Sequence, residues 1–118
     1  MSSYVNPVPH VRRLIEQHGM KCYGNKFPDD AEYPCVCIRL AGGNGYTRLQ
    51  LIARSENNDI EAMNLAIQAM NTMERFISDV QGLQGVWCER TSNPVPFTDT
   101  EANKEEAWCY MNLEHLGS

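Results

Sequence analysis

Cys35-Val36-Cys37-Ile38-Arg39-Leu40-Ala41-Gly42-Gly43-Asn44-Gly45-Tyr46-Thr47-Arg48-Leu49-Gln50-Leu51-Ile52-Ala53-Arg54 decides the fold. Val36, Ile38 and Leu40 alternate with Cys35, Cys37 and Arg39, the two-residue period of a strand. After the glycines, Thr47, Leu49, Leu51 and Ala53 alternate with Tyr46, Arg48, Gln50 and Ile52. Residues 42–45 tolerate positive φ and sit between the two runs, so residues 35–54 are expected to form an antiparallel hairpin with one dry face. A phosphate-binding loop would need a helix after the glycines and a Lys-Ser or Lys-Thr pair. A strand follows instead, and no such pair is present.

Downstream, Ser55-Glu56-Asn57-Asn58 closes the hairpin, and Asn58 with Glu61 matches a capping signal for a helix running to about Val80, before Gly82. Asp59 favours the positive end of that helix. At about 100° per residue, Asn64, Gln68, Asn71 and Arg75 share a polar side. The opposite arc, from Ala62 to Val80, covers about 200°, wider than the ~100° stripe one packing face needs. The surplus, Leu65 and Phe76 or Met63 and Ile67, is expected either to meet another protein or to lie under the chain's own loops. Upstream, Asn6-Pro7 starts a helix over residues 7–18, with Val8, Val11, Leu14 and Ile15 on its apolar side and Gly19 as its stop. Residues 20–33 read mainly as loop, with a short strand over 21–23. Strands are expected over 86–91 and 107–114, joined by a long polar loop, residues 92–106, which contains Pro94, Pro96, Asp99, Glu101 and Lys104.

The chain has 118 residues, 42% hydrophobic and 21% charged, which suits one soluble domain with its own core. No apolar run is long enough to span a bilayer, and residues 1–7 lack the pattern of a secretory signal, so a cytosolic origin is expected. A net charge of −5 argues against wrapping nucleic acid. The five cysteines, Cys22, Cys35, Cys37, Cys88 and Cys109, are read as buried apolar residues rather than as disulfides or metal ligands. Asp99, Glu101, Glu105 and Glu106 lack the spacing of a calcium loop. No cofactor or metal is expected. A rival reading, a small enzyme pairing Cys35 or Cys88 with His10, His18 or His115, has no spacing signal behind it.

The ordered set of Phe27-Pro28 and Pro34, the strand ending in Gly42-Gly43, the strand over 46–54, the helix after Asn57-Asn58, Leu83-Gln84-Gly85-Val86, Pro94-Val95-Pro96 and a last strand through Trp108 resembles the tail terminator proteins of long-tailed bacteriophages. The likeness runs from about Phe27 to Leu116. One departure is Asn103-Lys104-Glu105-Glu106 where that family often has a glycine turn. The resemblance implies an α+β fold: a small, mostly antiparallel sheet packed by one long helix and an N-terminal helix. It implies a non-enzymatic virion protein of the tail–neck region, assembled in the host cytoplasm. Such a protein forms a ring, a hexamer in the family, that caps the tail tube, ends its polymerisation and docks to the head-completion or connector protein. DNA passes through the lumen without specific binding, and no membrane is involved. The contact residues expected on this reading are Gly43 and Asn44 at the hairpin tip, Leu65, Gln68, Arg75 and Phe76 on the long helix, and Pro94, Pro96, Asp99, Glu101 and Lys104 in the 92–106 loop. Another neck or tail part, a head-completion or tube-like protein, is the nearest alternative.

Overall fold

A computed structural model describes residues 4–117. Helix α1 (Val8–Gln17) opens after Pro7, with the Asn6 side chain accepting from the Val8 amide at 3.1 Å, and it closes at Gly19, whose φ is +84°. Strand β1 (Cys22–Gly24) lies parallel to β2 (Cys35–Leu40), and β2 pairs antiparallel with β3 (Thr47–Ser55) in the register Cys35↔Arg54 to Leu40↔Leu49. Helix α2 (Asp59–Phe76) starts at Asn58, whose Oδ1 accepts from the Glu61 amide at 3.0 Å. The Glu61 carboxylate does not complete a capping box; it accepts from the Ser55 hydroxyl at 2.7 Å. The last expected turn of this helix tightens into a 3₁₀ turn, Ile77–Asp79. Strands β4 (Gly85–Arg90), β5 (Val95–Asp99) and β6 (Lys104–His115) complete the chain.

The sheet runs β1-β2-β3-β6-β4, and β5 also pairs with β6. β6 pairs with β3 along one side; on its other side β5 occupies Lys104 to Trp108 and β4 occupies Met111 to His115, end to end. The fold is therefore α+β with a mostly antiparallel sheet. Both helices pack on the face that carries Val36, Ile38, Leu49, Leu51, Cys109, Met111 and Leu113, all essentially inaccessible to solvent. Ala62, Ala66 and Ala69 let α2 lie close to that face, and Val11, Leu14 and Ile15 of α1 extend the same core.

The 92–106 loop expected from sequence is instead a hairpin. Pro94 and Pro96 argue against a central strand, but β5 is an edge strand, where a missing amide need not break a ladder. The chain turns at residues 100–103 without glycine. The Asp99 Oδ1 accepts from the Glu101 and Ala102 amides, both at 3.1 Å, and Asn103 adopts φ +55°. Asparagine tolerates this left-handed conformation better than other side-chain-bearing residues.

At the β2–β3 turn, Gly43 has φ +107°, and a Cβ there would overlap the Tyr46 carbonyl oxygen. The turn is held by Arg48 donating to the Gly42 carbonyl at 2.7 Å and by Ala41 donating to the Arg48 carbonyl at 2.8 Å. Gly43→Ala is expected to destabilise the domain by about 1–3 kcal/mol, read as a lower urea midpoint with an unchanged m-value.

Candidate functional site

The sheet face away from the helices divides into a locked part and an open part. In the locked part, residues 25–34 bring Phe27 over Arg54, with the guanidinium carbon 4.1 Å from the ring centroid. Arg54 binds Glu106 through Nε at 2.7 Å and through Nη2 at 2.6 Å, and it reaches Asp99 at 3.2 Å. β-pairing places Arg54 directly opposite Glu106, so the sheet register builds the ion pair. Lys104 sits 5.2 Å from the Tyr33 ring. Asp99 and Lys104 thus hold the β5–β6 hairpin to the body of the sheet, a task that the loop reading did not assign to them. Cys35, Cys37 and Ile52 are buried on this same face.

The open part runs along β5, the middle of β6 and β4. Trp108 and Tyr110 pack edge to face with centroids 5.4 Å apart, and Val95 stands opposite Trp108. Along the outer edge Val86 is 72% exposed, Phe97 53%, Val95 42% and Trp87 41%. A β-bulge between Gly85 and Trp87 interrupts the β4 register and pushes Val86 outward. Pro94, Pro96 and Glu89 border the strip, and prolines, charges and bulges blunt an edge against strand addition. This edge is therefore blunted against strand addition.

The residues singled out from sequence fall in separate places. Gly43 and Asn44 border a cleft with Tyr4, Leu40 and Tyr46 at one end of the molecule. Leu65 and Gln68 line a shallow groove with Pro34, Ile60 and Asn64. Arg75 lies over the Phe76 ring at 5.5 Å, and Phe76 stacks on His18 at 4.6 Å. Pro96 and Glu101 are exposed, and Pro94 is half-buried. The expected apolar surplus on the long helix is mostly covered: Met63, Leu65, Phe76 and Val80 pack against the core. Phe76 is covered from the α1 side by His18, and only Ile60 and Ile67 remain as exposed large apolar residues on α2. The exposed strip on β4–β5 escaped sequence reading. Its signal was Val95-Pro96-Phe97, an alternation masked by the flanking prolines.

All five cysteines are buried. Burial pushes the Cys22, Cys35 and Cys88 thiols up to about 12 and those of Cys37 and Cys109 to about 11, so none is held as a thiolate at neutral pH. Among the described residues no group of three or more His, Cys, Asp or Glu is placed to hold a metal ion. No helix of the described chain is long and apolar enough to cross a membrane.

His115 is buried, with Nε2 2.9 Å from the Thr47 hydroxyl, Nδ1 3.0 Å from the Leu116 carbonyl and the Tyr4 ring edge-on at 5.9 Å. Burial holds it below the usual imidazole range, against the opposing pull of the Leu116 carbonyl, and His10 adds to the lowering. Unfolded chains protonate this histidine near pH 6.5, while the folded protein resists until lower pH. Over that window the unfolded state binds more protons, so stability is expected to fall as pH drops through about 6.5. Urea midpoints from pH 8 to 5 check this: His115→Gln is expected to flatten part of the slope between pH 7 and 5.

No protein-family model matches the chain, and no curated protein matches it either.

Proposed function

We propose that this protein is a ring-forming structural subunit of a phage tail neck, a terminator that caps the tail tube and presents its far face to a head-completion protein. The observation that carries the reading is the apolar strip Val86, Trp87, Val95 and Phe97 on one open sheet edge. The strip is two exposed pairs set end to end along β6, Val95 and Phe97 opposite Trp108 and Glu106, and Val86 and Trp87 beside Glu114. Exposed apolar surface of this kind on a small domain is a candidate contact with another protein. Burying each such side chain is worth about 1.5–3 kcal/mol, and four together compare with the ~4–15 kcal/mol that association costs. The ordered likeness to tail terminators supplies the identity of the assembly. The α+β scaffold with helices on one face agrees with that likeness.

The mechanism follows from surface matching. One ring face binds the last ring of the tube. The other lacks the tube's self-complementary surface, so a contact that would otherwise propagate ends there. Homo-oligomerisation, the tube and the connector are the partners this reading requires, and DNA in the lumen needs no specific contact. Sedimentation velocity on the purified protein, alone and with tail tubes, tests it: a species of ring mass supports the reading, and a monomer under both conditions rejects it.

A further inference from the structure

The molecule measures 46 × 25 × 24 Å, and β6 alone, at roughly 3.3 Å per residue, extends roughly 40 Å along it. Strand register assigns the charged residues to its two ends. Ser55 lies opposite Glu105, and α2 begins just beyond, so Glu56, Asp59, Glu61, Glu101 and Glu105 gather at the β5–β6 turn end. Of the cations at that end, Arg54 is ion-paired to Glu106 and Asp99, while Lys104 and Lys21 lie against the Tyr33 and Tyr23 rings.

At the other end Thr47 faces Leu113 and Gly85 faces His115. There α1, the 3₁₀ turn and residues 80–82 enclose a groove of about 900 Å³. Arg13 is held at this groove by His10, Nη2 to Nδ1, at 2.6 Å, and Arg75 lies on the Phe76 ring that forms one wall. Asp79 contributes one opposing charge. Among the described residues neither Arg13 nor Arg75 is ion-paired. Two cations without an ion pair beside a groove at one end and the exposed Glu101 carboxylate on the turn at the other are oppositely charged surfaces of a single chain.

We propose that the turn at residues 100–103 of one copy seats in the His10–Arg13–Phe76 groove of the next, with Glu101 meeting Arg13 and Arg75. The contact is heterologous and head-to-tail, the type that closes into a ring when its rotation permits. It rests on the ring reading and specifies how neighbouring copies join. Glu101 projects because Asp99 caps the turn beneath it, which leaves the Glu101 side chain exposed.

Charge reversal tests this. Arg13→Glu alone and Glu101→Arg alone should each weaken self-association about tenfold or more, since like charges then meet at the contact. Mixing the two variants should restore assembly, because each groove then meets an opposite charge on the next copy's turn. About 1 M salt should weaken wild-type assembly. Arg75→Glu mixed with Glu101→Arg gives a second pair, and thermal melts confirm that each variant is folded. Wild-type assembly with no loss in the single variants, or no recovery on mixing, would overturn this contact while leaving the ring reading standing. A wild-type protein that stays monomeric would remove both.

Discussion

Arg54→Ala is expected to be the most destabilising single substitution on the helix-free face, costing about 3–5 kcal/mol. The Glu106 side chain is 9% exposed and the Arg54 side chain 14%, so removing the guanidinium leaves a nearly buried carboxylate without its countercharge. Asp99 loses its partner as well, and Phe27 loses the cation beneath its ring. In a domain whose total stability is ~5–15 kcal/mol, the loss should lower Tm by roughly 12–20 °C. The effect should come mainly from the stranded charge. Arg54→Met combined with Glu106→Leu should recover most of the stability, because an apolar pair of similar volume removes both desolvation penalties. Calorimetry on the wild type, the single variant and the double variant checks this; equal losses in the two variants would contradict it. A cost of under about 1 kcal/mol for Arg54→Ala would mean that the cluster behaves as an exposed ion pair.

Phe97→Ser with Trp87→Ser is expected to produce the largest change in assembly and almost none in folding. Both side chains are exposed in the subunit, and surface substitutions away from packed features usually stay within about 0.5 kcal/mol. If the strip is covered in a ring, each loss removes an aromatic contact worth about 2 kcal/mol or more, roughly thirtyfold per site in affinity. Dissociation should therefore appear in sedimentation velocity while the thermal melt stays in place. Unchanged assembly in the double variant would show that the strip is not the contact.

Much of the scaffold could be read directly from residue order. The β2–β3 hairpin was visible because alternation on both sides of a glycine turn leaves one register that keeps Val36, Ile38, Leu49 and Leu51 together. The start of α2 was visible because Asn58 is a local cap whose partner lies three residues away. What stayed hidden depends on distant partners. Arg54 lies 52 residues from Glu106 and 45 from Asp99, so nothing near it announced an ion cluster. β5 was hidden by Pro94 and Pro96, which count against a strand until its edge position is known. The apolar surplus of α2 could be read either as an interface or as surface covered within the chain, because its periodicity does not reveal that His18, at the end of α1, stacks on Phe76. The exposed strip on β4 and β5 has the opposite character: its residues look like ordinary strand residues until the topology leaves their edge uncovered.

The most direct test of the ring-cap proposal is negative-stain imaging of the purified protein, alone and mixed with assembled tail tubes. Closed rings of one fixed subunit number, bound to one tube end and halting its growth, are the expected result. Monomers that ignore the tubes, or long polymers of the protein itself, would contradict it, the second outcome pointing to a tube-like subunit instead.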